Sequence, residues 1–109
     1  MSDMRKSPLK SLPDEAFDAI ASRFRALGEV SRLRIVEALH SGEKNVTELV
    51  EITGLSQPNV SRHLQVLVTA GLIGRKKEGL TMRYRIVDDT LSDVCAIVCK
   101  RVSDERRGK

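Results

Sequence analysis

The residues best suited to chemistry in this sequence are uncharged polar and basic side chains gathered between positions 56 and 69. Amides, hydroxyls and one arginine stand there, whereas an ordinary exposed helix would carry Glu and Lys. Their donors and acceptors match base edges and phosphate oxygens, which indicates recognition of a nucleic acid by hydrogen bonding. The candidate contacts are Ser56, Gln57, Pro58, Asn59, Ser61, Arg62 and His63.

The same stretch has the pattern of an amphipathic helix. Ser56 can cap its first amides, and Pro58 fits its first turn, where no intrahelical hydrogen bond is lost. At 100° per residue, Val60, Leu64 and Leu67 fall on one apolar stripe. A solvated helix that happens to lack acids would show the same pattern, so the neighbouring segments have to distinguish the two interpretations.

Positive charge is concentrated in this part of the chain. The 109 residues have a net charge of +4, yet residues 56–85 hold six bases and one acid, a net charge of +5. Residues 13–55 hold five bases and eight acids. A positive field confined to one segment is expected of a phosphate-binding surface. Because aromatic residues make up only 3% of the chain, duplex is favoured over stacking on single strands.

Periodicity and capping residues predict helices before this stretch. Pro13 opens a first helix, which is expected to end at Gly28 in a left-handed cap. Ser31 is expected to cap the second helix. A capping box formed by Asn45 and Glu48 is expected to start the third.

A turn and a hairpin complete the pattern. Gly54 suits the turn into the fourth helix, which ends at Gly71, and apolar residues then alternate with Arg83 and Arg85 around a tip at 77–79. A helix-turn-helix followed by a basic hairpin is a winged helix, a mainly α fold whose second helix enters the major groove. The wing lies along the backbone, and its candidate contacts are Arg75, Lys76, Lys77 and Arg83.

A fifth helix is predicted from a cap at 88–90 to about Arg106. Its apolar stripe comprises Leu91, Val94, Cys95, Val98 and Val102, with Cys99 on the flank. The predicted domain therefore runs over residues 11–106, between a flexible arm at 1–10 and a flexible tail at 107–109.

Cys95 and Cys99 are the candidate sensor residues. Residues at this spacing on a helix have Cβ atoms about 5–6 Å apart, too far for an undistorted disulfide. Two thiolates there could hold one soft ion, and four across a dimer axis could form a cage. A redox or sulfur-species switch, or simple packing in the place of valine, fits the same residues. The sequence assigns no cofactor.

Two rival functions fit less well. A thiol enzyme would need a base near its cysteine or a Cys-x-x-Cys pair, and neither is visible. A protein-interaction module without DNA binding has no need of a basic reading face. Since no apolar run approaches the ~20 residues that cross a bilayer and no signal peptide is recognisable, we expect a cytoplasmic protein.

Four stretches of the sequence resemble winged-helix repressors of the ArsR/SmtB type. They are ALGEVSRLRI (26–35), LSQPNVSRHL (55–64), AGLI (70–73) and RYRI (83–86). The resemblance implies a homodimer built from the first and last helices, with residues 56–63 at the major groove of an operator. It also implies a repressor that an effector releases from DNA.

The sequence departs from this family at its metal sites. Sensors of the arsenic and cadmium type carry Cys-x-Cys before the third helix, where this chain has Asn45, Val46 and Thr47. Sensors of the zinc and nickel type use histidines on the last helix, which has none here. A soft metal, an arsenical, or a reactive sulfur species or oxidant acting on Cys95 and Cys99 remains as an effector. The alternative is a regulator without any effector.

Overall fold

The computed structural model describes residues 7–88 and 90–108. Within them the chain forms five helices and a two-stranded antiparallel hairpin. In chain order the elements are α1 (Asp14–Leu27), α2 (Val30–Leu39), α3 (Val46–Thr53), α4 (Gln57–Thr69), β1 (Ile73–Glu78), β2 (Thr81–Ile86) and α5 (Thr90–Arg106). This order confirms the predicted mainly α, winged helix-turn-helix architecture. None of the described helices is both long and apolar enough to cross a bilayer.

Parts of three predictions fall outside the described residues. They are residues 1–6 of the predicted arm, Asp89 of the predicted α5 cap, and Lys109 of the predicted tail. The remainder of the arm, residues 7–10, forms a hydrogen-bonded turn.

The caps of α3 and α4 follow the prediction. The Asn45 side chain accepts the Glu48 N–H, and the Glu48 carboxylate accepts the Asn45 N–H, each at 2.8 Å. Gly54 ends α3 with a φ of 77° in the left-handed region. The Ser56 hydroxyl then accepts the Asn59 N–H at 3.3 Å. Local chemistry thus sets where α4 begins.

The predicted caps at the α1–α2 junction are wrong. Glu29, not Ser31, is the N-cap residue of α2, and its carboxylate accepts the Arg32 N–H at 3.0 Å. Gly28 has a φ of −85° and a ψ of 35°, outside the left-handed region. Only residues 28 and 29 connect the two helices, and Glu29 has to be extended to cap α2, so α1 runs almost directly into α2.

The wing is a tight hairpin. Its strands pair along their whole length, and the register closes with Glu78 opposite Thr81. The turn therefore consists of Gly79 and Leu80, one residue beyond the predicted tip at 77–79. Gly79 has a φ of 64°, a conformation that two-residue hairpin turns require and that glycine adopts at little cost.

The core lies where α2, α3 and α4 meet the base of the wing. Its fully buried side chains are Ile35, Val36, Leu49, Val60, Leu64, Leu67, Leu72 and Leu91. Tyr84 of β2 is buried against them, and its backbone exchanges hydrogen bonds of 2.9 and 3.1 Å with that of Lys44. These two bonds fix the wing to the link between α2 and α3. The predicted apolar stripe of α4 is confirmed as core.

The apolar stripes of α1 and α5 remain uncovered in the single chain. Leu91 anchors the start of α5 in the core. Beyond it, Val98 is 56% exposed, and Phe24 of α1 is 60% exposed. Phe17, Val94 and Val102 extend the same apolar surface. We call the surface formed by the five exposed residues the α1–α5 face; they are Phe17, Phe24, Val94, Val98 and Val102.

Candidate nucleic-acid interface

The exposed side of α4 carries most of the predicted contact residues. Gln57, Pro58, Asn59, Ser61 and Arg62 are all exposed, on the side of the helix opposite the buried stripe. Ser56 is exposed as well, while its hydroxyl caps the helix. We call this surface of α4 the reading face.

Hydrogen bonds order the long side chains of the reading face. An Arg62 Nη2 donates to Asn59 Oδ1 at 3.0 Å, and Gln65 Nε2 donates to Thr69 Oγ1 at 3.1 Å. Gln65 Oε1 accepts from Arg75 Nη1 at 3.4 Å, which joins the wing to the helix. The sequence places Gln65 on the polar side without marking it as a contact, and the structure puts it between α4 and the wing.

His63 does not lie on the reading face, contrary to the prediction. Its side chain is only 4% exposed, and its Nδ1 lies 3.2 Å from Nη1 of Arg32 in α2. A guanidinium group can only donate, so Nδ1 of His63 accepts and the neutral ring carries its proton on Nε2. Position 63 falls beside the stripe of Val60 and Leu67 on a helical wheel, a signal that could have placed it inside.

The surroundings of His63 favour the neutral ring. Burial is the largest influence and lowers the pKa of His63. The Glu29 carboxylate opposes this effect, whereas the guanidinium groups of Arg62 and Arg32 lower the pKa further. Protonation would replace a hydrogen bond to Arg32 with the contact of two cations.

Arg32 joins three helices at this point. Its Nε donates to the carbonyl of Ala26 at 2.6 Å, and its Nη2 donates to the carbonyl of Arg25 at 3.3 Å. Both carbonyls belong to the last turn of α1, where a helix leaves acceptors short of partners. The third donor reaches His63 in α4. The end of α1 is thereby tied to the helix that carries the reading face.

The bases of the wing divide into two groups, and the first surrounds Glu43. Lys76 Nζ and Arg83 Nε each lie 3.4 Å from its carboxylate, with Arg85 Nη1 at 4.0 Å. Arg83 also donates to the Glu43 carbonyl and lies 3.7 Å from the Glu48 carboxylate. Partial burial raises the pKa of Glu43, but the charges and hydrogen bonds of Lys76 and Arg83 outweigh it and lower the pKa overall.

The second group, Arg75 and Lys77, alternates to the opposite side of the hairpin. Arg75 reaches Gln65 of α4 there, and Lys77 forms no ion pair with any residue in 7–88 or 90–108. These two cations are available for phosphates. Arg83, predicted as a contact from the sequence, has its guanidinium paired with the carboxylates of Glu43 and Glu48.

The two cysteines line a cleft between α1 and α5. Cys95 is half-buried against the core, and Cys99 is exposed. The cleft is otherwise lined by Phe24, Leu27, Gly28, Leu33, Val94 and Val98. Burial raises the pKa of the Cys95 thiol, and the neighbouring Cys99 acts in the same direction. Among the residues that the structure describes, no group of three or more His, Cys, Asp or Glu side chains could hold a metal ion.

Known proteins share this sequence pattern. The family model described as "Bacterial regulatory protein, arsR family" matches residues 29–74. The probable mercury resistance operon repressor of Streptomyces lividans is 38% identical over 77 residues, which cover 71% of this chain and 62% of that protein. The regulator NmtR of Mycobacterium tuberculosis is 36% identical over 84 residues, which cover 77% of this chain and 70% of that protein. The chain thus spans about three fifths of the length of the mercury repressor.

Solved structures share the fold. A homodimeric winged helix-turn-helix DNA-binding domain from Mycobacterium bovis, described as a possible ArsR-family transcriptional regulator, is 30% identical. It superposes with a TM-score of 0.75 over 90% of this chain and 93% of that one. Fold and sequence together place the chain among winged helix-turn-helix domains. The chain belongs to the ArsR family.

We expect His63 to make stability depend on pH. Its folded-state pKa lies below that of the unfolded chain, which is about 6.5. The stability that it contributes is complete above that value and is lost as pH falls through the window beneath it. The urea midpoint of the wild type should therefore fall between about pH 7.5 and about pH 5.5, and the fall should be smaller in His63→Gln.

His40→Gln is the matched control, because it makes the same change at an exposed histidine. This variant should keep the pH dependence of the wild type. A His63→Gln protein whose urea midpoint falls as steeply as that of the wild type would contradict the prediction.

Proposed function

We propose that this chain is a sequence-specific, dimeric repressor that places α4 in the major groove of operator DNA and the wing along the adjacent backbone. One observation carries the proposal. Apart from Pro58, the reading face is polar or basic, and it is free of acids, on a helix whose opposite stripe is fully buried. Such a face offers hydrogen bonds to base edges and none of the repulsion that carboxylates would bring to phosphates.

Roles within the interface follow from side-chain chemistry. The amides of Gln57 and Asn59 can donate and accept at once, as the bidentate recognition of adenine requires. Arg62, Arg75 and Lys77 bring positive charge without the acidic partners that occupy Arg83. We therefore assign base reading to the start of α4 and phosphate binding to these three cations. We assign neither role exclusively to the remaining candidate contacts, which are Ser56, Ser61 and Lys76.

Two substitutions should separate these roles. Gln57→Ala should cost ~1–3 kcal/mol on the operator and little on a scrambled duplex, because a base contact carries sequence information. Lys77→Ala should weaken binding to both duplexes alike and lower the slope of log affinity against log salt by about one. Fluorescence anisotropy with the DNA upstream of the chain's own gene, over a range of salt, measures both effects.

Arg34→Ala serves as the control, since Arg34 is exposed on α2 and lines a cleft that contains no residue of α4 or the wing. Equal affinity of the wild type for operator and scrambled duplex would argue against sequence-specific recognition. A wild-type chain that binds no duplex even at low salt would reject DNA binding altogether.

For the dimer, we propose that the α1–α5 face is the interface. A monomer would leave Phe24 and Val98 more than half exposed beside other apolar side chains, a cost that a symmetric partner removes. The relative from Mycobacterium bovis is described as homodimeric, which supports a dimer without specifying its interface.

Val98→Asp should convert the dimer into a monomer, because it would place an unpaired charge in an apolar interface. Operator affinity should fall with it, since each half-site would have to hold one chain alone. Light scattering gives the mass. Leu80→Asp, which adds the same charge at the exposed wing tip, should remain dimeric. A dimeric Val98→Asp protein would exclude this residue from the interface.

We also propose Cys95 and Cys99 as the point where an effector acts. Both line the cleft that borders the α1–α5 face, so a ligand joining them would shift α5 against its partner. That shift would alter the distance between two reading faces that must match half-sites about 34 Å apart. Because the raised pKa of Cys95 leaves little free thiolate, a soft metal ion or arsenical that displaces the proton fits better than an oxidant.

A Cys95→Ser/Cys99→Ser variant tests this assignment. Cd(II) or As(III) should release wild-type protein from the operator and leave the double variant bound. Peroxide and persulfide, assayed beside them, would point to redox or sulfur chemistry if only they release the wild type. Equal responses of the two proteins, or no response to any compound, would leave the cysteines as packing residues of a regulator without a thiol sensor.

A further inference from the structure

A cleft between α1 and α4 borders the reading face and has no counterpart in the sequence predictions. Its polar lining consists of Ser22, Arg25, Arg32, Arg62, Gln65 and Thr69. These residues come from α1, α2 and α4. Three of the six are arginines, which makes the cleft strongly cationic.

The three guanidinium groups differ in freedom. Arg32 is half-buried and held by its bonds to the last turn of α1 and to His63. Arg25 and Arg62 are exposed at the rim. Within the described parts of the chain, no ion pair joins any of the three to a carboxylate. The carboxylate of nearby Glu29 is engaged by a backbone N–H.

We infer that this cleft binds a phosphodiester of the operator backbone, so that α1 adds Arg25 to the DNA interface. The inference rests on the proposed function. Guanidinium groups match phosphate oxygens in geometry and charge, and the hydroxyls of Ser22 and Thr69 supply further donors. No acid among the lining residues would repel the phosphate.

Continuity with the reading face selects DNA over a free anion. Arg62, Gln65 and Thr69 belong to the cleft and to the exposed side of α4 alike. A duplex that lies along α4 therefore brings its backbone to the mouth of the cleft. An inorganic anion shares the chemistry but gains nothing from this continuity.

The bound phosphate would also lie between the helix that carries the reading face and a helix of the proposed dimer interface. It would hold α4 at one orientation to α1. Operator binding and the geometry of the dimer would then be coupled through the cleft.

Arg25→Ala tests the inference. Arg34→Ala is the control, because Arg34 is also an exposed arginine but lies outside the cleft. Arg25→Ala should weaken binding to operator and scrambled duplex by roughly threefold to tenfold and lower the salt slope by about one. Arg34→Ala should match the wild type. Circular dichroism confirms that each variant is folded.

Affinity and salt slope of Arg25→Ala equal to those of Arg34→Ala would overturn the inference. A second arm titrates inorganic phosphate and follows the thermal midpoint. If phosphate stabilises the wild type but not Arg25→Ala, while both proteins bind operator equally, the cleft is a free-anion site and the inference fails. If Gln57→Ala loses operator affinity as predicted while Arg25→Ala binds like the wild type, only the phosphate site in the cleft is rejected. A wild type that binds no duplex would reject the proposed function as well.

Discussion

The guanidinium of Arg32 holds together α1, α2 and α4, the last of which carries the reading face. It donates to two carbonyls at the end of α1 and to the ring of His63 in α4, while its own N–H is capped by Glu29. Hydrogen bonds of charged groups contribute about 1.5–3 kcal/mol each, against about 0.2–1 kcal/mol for exposed ion pairs. The contacts of Arg32 therefore outweigh the surface pairs elsewhere in fixing how α1 lies against α4.

The wing is stabilised by different means. A two-stranded hairpin is marginal on its own in water, so its base has to be anchored. Burial of Tyr84 and its backbone bonds to Lys44 provide one anchor, and the bases around Glu43 provide another. Because alternate residues of a strand face opposite sides, the bases used for anchoring are not those left for phosphates. Arg83 is one of the anchoring bases, whereas Lys77 lies on the other side of the hairpin and is among the bases proposed to bind phosphates.

Local rules explain what the sequence could predict. The capping box at Asn45 and the α4 start at Ser56 need only neighbours within a few residues, and both are confirmed. Local rules failed at the α1–α2 junction, where Glu29 rather than Ser31 caps α2. Elsewhere, the side-chain contacts that the sequence did not predict join residues far apart in the chain. His63 is polar by type, but its partner Arg32 lies 31 residues away, and the residue that engages Arg83 lies 40 residues away. The cationic cleft draws on three helices at once, so neither spacing nor composition could indicate it.

The helix α1 lies between the α1–α5 face, which is the proposed dimer interface, and the helix that carries the reading face. Within Asp14–Leu27, Ala26 is the only buried residue, and Leu27 is partly buried against the core, so α1 is attached to the core mainly through its last turn. Its last turn presents Phe24 to the uncovered α1–α5 face, and the carbonyls of the next two residues to Arg32. A displacement of this turn would act on the two hydrogen bonds that it forms with Arg32, and Arg32 is bonded in turn to His63 of α4. If the α1–α5 face is the dimer interface, as proposed, a change there has a direct route to the reading face through a single side chain.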